Sequence, residues 1–179
     1  MSIIITGNKK YGVAKFIGKH IDCMFASRGT GLDLNEDWEN FITECTIDYD
    51  TIIINATVKK NTYTQTKLLF DLYSRSVELN LTKNFIAISG NEKNKLEAKE
   101  TIKYLSYGNE AASLERLCKQ INLNKSTISP NIKCCLITFP AVKEMYESCS
   151  GQYIEGDKIG RIVKQVIEGD VVFESITLG

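Results

Sequence analysis

Thr6-Gly7-Asn8-Lys9-Lys10-Tyr11-Gly12-Val13-Ala14 is the first stretch of this sequence whose residue types could do chemistry. It follows an apolar run and leads into Lys15-Phe16-Ile17, the continuation of a helical pattern. Glycine permits a tight turn and close backbone approach to a pyrophosphate, and a helix after it offers free amides and the positive end of its dipole. With one residue inserted after Gly7, Gly12 and Ala14 take the second and third small positions of a dinucleotide fingerprint. Thr6, Asn8, Lys9, Tyr11 and Val13 then complete a candidate phosphate loop. The bland alternative is a glycine turn that holds no ligand. A second apolar run ends in Ala26-Ser27-Arg28-Gly29, where an NAD site would place an acid against the adenosine ribose. A hydroxyl followed by a guanidinium suits a 2′-phosphate instead, so NADP is the expected cofactor and NAD the alternative. Asp33-Leu34 either brings Asp33 near the adenine amino group or simply ends a short strand. His20 is the sole histidine, which leaves Tyr, Lys, Asp, Glu or Cys for proton transfer and cannot complete a Cys/His zinc set.

The elements that must position these residues follow from hydrophobic periodicity. Apolar runs at 2–5, 23–26, 51–55, 85–89, 133–138 and 171–176 alternate with helical patterns at 13–19, 36–45, 64–79, 109–121 and 158–167. Near-continuous hydrophobic strands require a sheet covered on both faces, and strand–helix alternation gives parallel pairing through crossovers. The expected fold is α/β, a doubly wound parallel sheet in three α/β/α layers, with residues 1–179 as a single Rossmann-like domain. Trp38, Phe41, Ile42 and Cys45 fall at helical spacing, so Trp38 is expected to pack against the core. The segment 90–101 reads as an exposed loop or a polar first turn.

Twenty-two basic residues balance 22 acidic ones in 179 residues, with 43% hydrophobic and 25% charged. That balance argues against a dedicated nucleic-acid binder or a polybasic membrane-surface protein. The six cysteines contain no CxxC pair and read as reduced, mostly buried thiols. The opening apolar run is too short for a signal peptide, so a cytoplasmic protein is expected.

In their order these features resemble the short-chain dehydrogenase/reductase family over nearly the whole chain. Thr6-Gly7…Gly12-Val13-Ala14 looks like the family's glycine motif, and Asp33-Leu34 is similar to its adenine-contacting Asp after the third strand. Ile54-Asn55-Ala56-Thr57 looks like the Asn-Asn-Ala-Gly signature after the fourth strand, and Ile86-Ala87-Ile88-Ser89-Gly90 like the fifth strand, whose end holds the catalytic serine. Tyr107 with Leu114 and Leu117 resembles the active-site helix, and Phe139-Pro140-Ala141 the turn on the nicotinamide side. The resemblance implies Tyr107 and Ser89 as catalytic residues, and Asn55, Ala56, Thr57 and Pro140 as cofactor contacts. It also implies a lysine four residues after the tyrosine to lower the phenol's pKa, and that position is Ala111. Tyr104 as an alternative donor is followed at the same interval by Gly108. Lys99 and Lys103 lie upstream, where either could approach the site. Two functions are therefore expected: an NADP(H)-dependent oxidoreductase acting on a small carbonyl or alcohol, or a non-catalytic, regulatory dinucleotide binder with a degenerate relay. The resemblance further implies a homo-oligomer, dimer or tetramer, paired through the helices near 64–79 and 109–121. Leu68, Leu69, Leu72 and Leu117 are the residues that would either join subunits or be spent on the sheet. Val142, Met145, Tyr146 and Tyr153 would either line a substrate pocket or form an ordinary packed loop.

Overall fold

The computed structural model describes residues 1–27, 38–55, 64–90, 101–145, 153–169 and 174–178, with the backbone alone over 101–107. Consecutive isoleucines build β1 (Ile3–Thr6) and β3 (Thr51–Ile54), and every residue of both strands is buried. Branching at Cβ stiffens these residues in extended backbone, and burial on both faces removes the polar alternation of an exposed strand. With β2 (Met24–Ala26), β4 (Lys83–Gly90), β5 (Ile132–Phe139) and β8 (Ser175–Thr177) they form one sheet in the order β2-β1-β3-β4-β5-β8. Every pairing in it is parallel. Asp33, which the resemblance sets after a third strand, lies outside the described residues, and Asn55 follows the third described strand.

Side chains alternate across a strand, so the two faces can be read from one β-run. Ile4, Ile52, Ile54, Phe85 and Ala87 face α2 (Trp38–Asp48), α3 (Thr64–Glu78) and α4 (Thr101–Asn124). Ile3, Ile5, Ile53, Ile86 and Ile88 face α1 (Gly12–Ile17) and α5 (Gly156–Glu168). The fold is thus a doubly wound, three-layer α/β/α sheet of Rossmann type. Leu68, Leu69 and Leu72 are fully buried, so these leucines of α3 are spent on the sheet; Leu117 packs against the same cluster, partly buried. Trp38 also packs there, and its indole Nε1 donates to Asp71 Oδ2 at 2.7 Å. Cys45, Cys118, Cys134 and Cys135 are buried free thiols and Cys23 is half-buried.

Two departures from the periodicity have local causes. α4 begins at Thr101 rather than at 109, because Gly108, which looks like a break, is buried within the helix; a mid-helix glycine costs only about 1 kcal/mol, which packing offsets. Tyr107 therefore lies inside a helix and not at its start. The second concerns α5, which connects β5 to β8 over the α1 face, whereas α3 and α4 connect β3, β4 and β5 over the other face. The last crossover thus has the opposite hand to the two before it, against the usual uniformity of parallel crossovers. Glycines permit this docking: a Cβ on Gly156 would lie 2.5 Å from the Phe16 ring, and one on Gly160 2.5 Å from the Phe16 carbonyl oxygen. Glu144 fixes the start of α5 by accepting the Gly156 amide at 3.1 and 3.0 Å on its two oxygens. Just before it, β6 (Ala141–Val142) and β7 (Tyr153–Ile154) pair in parallel.

Candidate functional site

Parallel strands deliver their carboxyl ends to one edge, and ligands of open α/β sheets sit where the strand order reverses. From β1 the chain passes through α1 to β2 on one side, and returns through α2 to β3 on the other, so the reversal lies between β1 and β3. Thr6 and Asn55 join the two strand ends there. Thr6 Oγ1 accepts the Asn55 amide at 2.9 Å, and Asn55 Nδ2 donates to the Thr6 carbonyl at 3.5 Å.

The glycine turn leaves β1 at this point. Gly7 has φ 141°, its amide donates to the Ala26 carbonyl at 2.9 Å, and a Cβ on it would meet Ala14 Cβ at 2.9 Å and Asn55 Nδ2 at 3.1 Å. Gly7 and Ala14 are thus the small pair that lets α1 approach the strand. Asn8 folds the extra residue into a turn by accepting the Lys10 amide on Oδ1 at 2.8 Å and the Tyr11 amide on its carbonyl at 3.3 Å. Gly12 then starts α1 with φ 65°, and a Cβ placed on it would meet nothing within 4 Å. Left-handed backbone beside open space is what a turn that cradles a ligand needs. Tyr11, the exposed N-cap, supplies no side-chain hydrogen bond, and the Val13 side chain is buried in the core. Lys9 extends toward β2, its ammonium 5.9 Å from the centre of the Phe25 ring.

Of the other expected contacts, Ser27 follows β2, Ser89 lies near the end of β4 and Pro140 directly follows β5, all on the same edge as Gly7 and Asn55. Arg28, Asp33, Leu34, Ala56 and Thr57 lie outside the described residues, as do Lys99, Tyr146 and the segment 91–100. The side chains of Lys103, Tyr104 and Tyr107 are likewise outside them. Ser89 is 7% exposed, and its hydroxyl donates to the Gly90 carbonyl at 3.4 Å, a long contact. Met145 is exposed, and Val142 is buried in the core.

Two buried polar residues beside this edge escaped the sequence reading. Gln65 Nε2 donates to the Ile88 carbonyl at 3.1 Å, tying α3 to β4. Glu110, 6% exposed, accepts the Thr66 amide at 2.9 Å and the Thr66 hydroxyl at 3.3 Å on Oε1, while its buried Oε2 has no hydrogen-bond partner among the described residues. The carboxylate closes the first turn of α3, where the helix dipole favours negative charge. One signal for it exists in the sequence: an acid standing among Leu114, Leu117 and Ile121 on an otherwise apolar stripe.

The sequence matches no family model and no curated protein. Solved structures do resemble the chain. A short-chain dehydrogenase from Bacillus anthracis superposes with a TM-score of 0.70 at 11% identity, covering 99% of this chain and 94% of its own. A short-chain dehydrogenase/reductase from Vibrio parahaemolyticus gives 0.68 at 12% identity, with 98% of each chain covered. A 4-hydroxyisoleucine dehydrogenase complexed with NADH and succinate gives 0.66 at 14% identity, over 98% of this chain and 96% of the other. Coverage near the full length of both chains, together with the strand order and the glycine turn at its reversal, shows that this chain has the short-chain dehydrogenase/reductase fold.

Proposed function

We propose that the chain binds a nicotinamide dinucleotide across the carboxyl ends of β1 and β3 and acts as an oxidoreductase on a small carbonyl or alcohol. The observation that carries this reading is Gly12, held at φ 65° beside empty space at the reversal of strand order. Thr6, Gly7, Asn8, Lys9, Tyr11, Gly12 and Val13 would surround the pyrophosphate, the last through its backbone. Asn55, Ala56, Thr57, Asp33 and Leu34 would hold the adenosine half, and Pro140 would border the nicotinamide. Ser27 and Arg28 favour NADP over NAD, because an anionic 2′-phosphate pairs with a guanidinium. The NADH-bound dehydrogenase among the structural neighbours supports the cofactor class. Bound nicotinamide would supply hydride chemistry. The chain's own part would be proton transfer at the Tyr107 hydroxyl, with Ser89 orienting the substrate oxygen. A cytoplasmic homo-oligomer is part of the same reading.

A second reading, a regulatory binder without turnover, is favoured by Ala111 at the expected lysine position, with the buried carboxylate of Glu110 beside it. Calorimetric titration with NADPH and NADH, followed by NADPH oxidation over a panel of aldehydes and ketones, tests both. Micromolar NADPH binding with turnover abolished by Tyr107→Phe supports the enzyme. Binding without turnover supports the regulatory protein. Absence of binding refutes both.

A further inference from the structure

Alternation along β4 puts Ser89 on the face of Phe85 and Ala87, the face that α3 and α4 cover. The strand end that carries it lacks a described neighbour on one side. β3 stops at Ile54, opposite Ala87, whereas β5 runs on beside Ser89 and Gly90. Here Gln65, buried in the first turn of α3, donates from Nε2 to the Ile88 carbonyl at 3.1 Å. The peptide unit it holds is the one that joins Ile88 to Ser89. The Ser89 hydroxyl's own bond, 3.4 Å to the Gly90 carbonyl, is too long to fix the residue, so its place is set through the backbone. Thr66, the next residue of α3, is held from another side: its amide and hydroxyl donate to Glu110 of α4 at 2.9 and 3.3 Å. Adjacent residues of one helical turn thus bind different elements, Gln65 the strand and Thr66 the long helix. Both contacts lie beside an apolar layer that includes Leu68, Leu69 and Leu114. A hydrogen bond there meets little competition from water, and one left unmade is costly.

We infer that Gln65 is a positioning residue: it holds the Ile88–Ser89 peptide, and with it the Ser89 hydroxyl, at a fixed place on the sheet edge, while Glu110 braces the turn from which it reaches. The inference rests on the oxidoreductase reading above, in which Ser89 orients the substrate oxygen. No residue of α3 takes part in that reading, and Gln65 stands outside the glycine turn. Displacing a reacting group by about 1 Å costs on the order of a hundredfold in rate, so a support of this kind acts on turnover rather than on cofactor affinity.

The full-length parent, Gln65→Leu, Gln65→Glu and Val77→Ala are compared by NADPH oxidation with the aldehyde or ketone of the panel that the parent reduces fastest, by calorimetric NADPH titration and by urea unfolding. Gln65→Leu keeps the bulk and loses the donor. Its kcat and kcat/KM are expected to fall together by at least about tenfold, with the NADPH Kd within about twofold of the parent's. Gln65→Glu regains a donor only when its carboxyl is protonated, so its kcat relative to the parent's should climb as pH falls. Val77→Ala trims a partly buried side chain in the last turn of the same helix and should lower the urea midpoint with kcat unchanged. If Gln65→Leu does not fold, the pH course of Gln65→Glu decides. Parental kcat in Gln65→Leu, an equal loss in Val77→Ala, or a Gln65→Glu to parent ratio that is constant with pH overturns the inference and leaves the oxidoreductase reading standing. A parent that turns over no member of the panel refutes that reading and the inference with it.

Discussion

Replacing Gly7 and Gly12 separately by alanine should divide packing from ligand approach within one turn. At Gly7 a Cβ would sit 2.9 Å from Ala14 Cβ and 3.1 Å from Asn55 Nδ2, at φ 141°. Strained backbone at such a φ costs about 1–3 kcal/mol, and overpacking a filled site costs about 1–3 kcal/mol more. Gly7→Ala should therefore lose about 2–6 kcal/mol, a large share of the roughly 5–15 kcal/mol that holds a domain together. With a urea slope of about 2 kcal/mol/M, the unfolding midpoint falls by about 1–3 M. At Gly12 the backbone is left-handed at φ 65° but the added methyl meets nothing within 4 Å, so only the conformational cost of about 1 kcal/mol remains. The midpoint should then fall by about 0.5 M, while in the proposed reading NADPH affinity drops at least about tenfold, because the methyl would enter the space assigned there to the pyrophosphate. Urea unfolding by circular dichroism and calorimetric NADPH titration read the two effects. Gly7→Ala as stable as the parent would refute the packing argument. Undiminished NADPH binding by Gly12→Ala would show that no ligand approaches that backbone.

Glu110→Ala should destabilise the chain by about 1–3 kcal/mol, because the Thr66 amide loses its 2.9 Å acceptor. Glu110→Gln, which keeps an acceptor there, should stay within about 1 kcal/mol; equal midpoints for the parent and Glu110→Ala in urea would show that α3 does not depend on this contact. On the acid side, the Ser2 amide and hydroxyl hold the Asp50 carboxyl below its ordinary value, and the His20 hydrogen bond does the same for Asp157. A carboxyl depressed on folding contributes stability that is fully present above its ordinary range near pH 4 and is lost as pH falls through the lowered value. Melting temperature below about pH 4 should thus fall less steeply in Asp50→Asn than in the parent, and superimposable acid limbs would contradict the assignment.

What could be read from the sequence was whatever is specified locally. The isoleucine runs of β1 and β3 announce buried parallel strands without reference to anything distant, and a strand, a glycine turn and a helix in succession place the turn on the sheet edge. Asn8 shows the limit of such reading: its spacing breaks the expected motif, and only the geometry reveals that its side chain absorbs the extra residue. Glu110 meets Thr66 across 44 residues and His20 meets Asp157 across 137. Neither partnership leaves a periodic trace, because each depends on which helix is laid beside which. The face taken by α5 belongs to the same class. Hydrophobic spacing gives the helix an apolar stripe, but Gly156 and Gly160 against Phe16 decide where that stripe lands.

The same distinction bears on the proton relay of the proposed reading. Absence of a lysine at 111 is visible in the sequence and means that no cation stands one turn beyond Tyr107 to favour its phenolate. The structure adds what stands next to it: Glu110 is buried, with one oxygen spent on the Thr66 amide and hydroxyl, so the helix turns an acid inward to close the first turn of α3. The residue at 111 is thus a local fact and the carboxylate at 110 a tertiary one, and they answer to different measurements. Turnover in Tyr107→Phe bears on the proposed relay, whereas the urea midpoint of Glu110→Ala bears on the packing of α3 against α4.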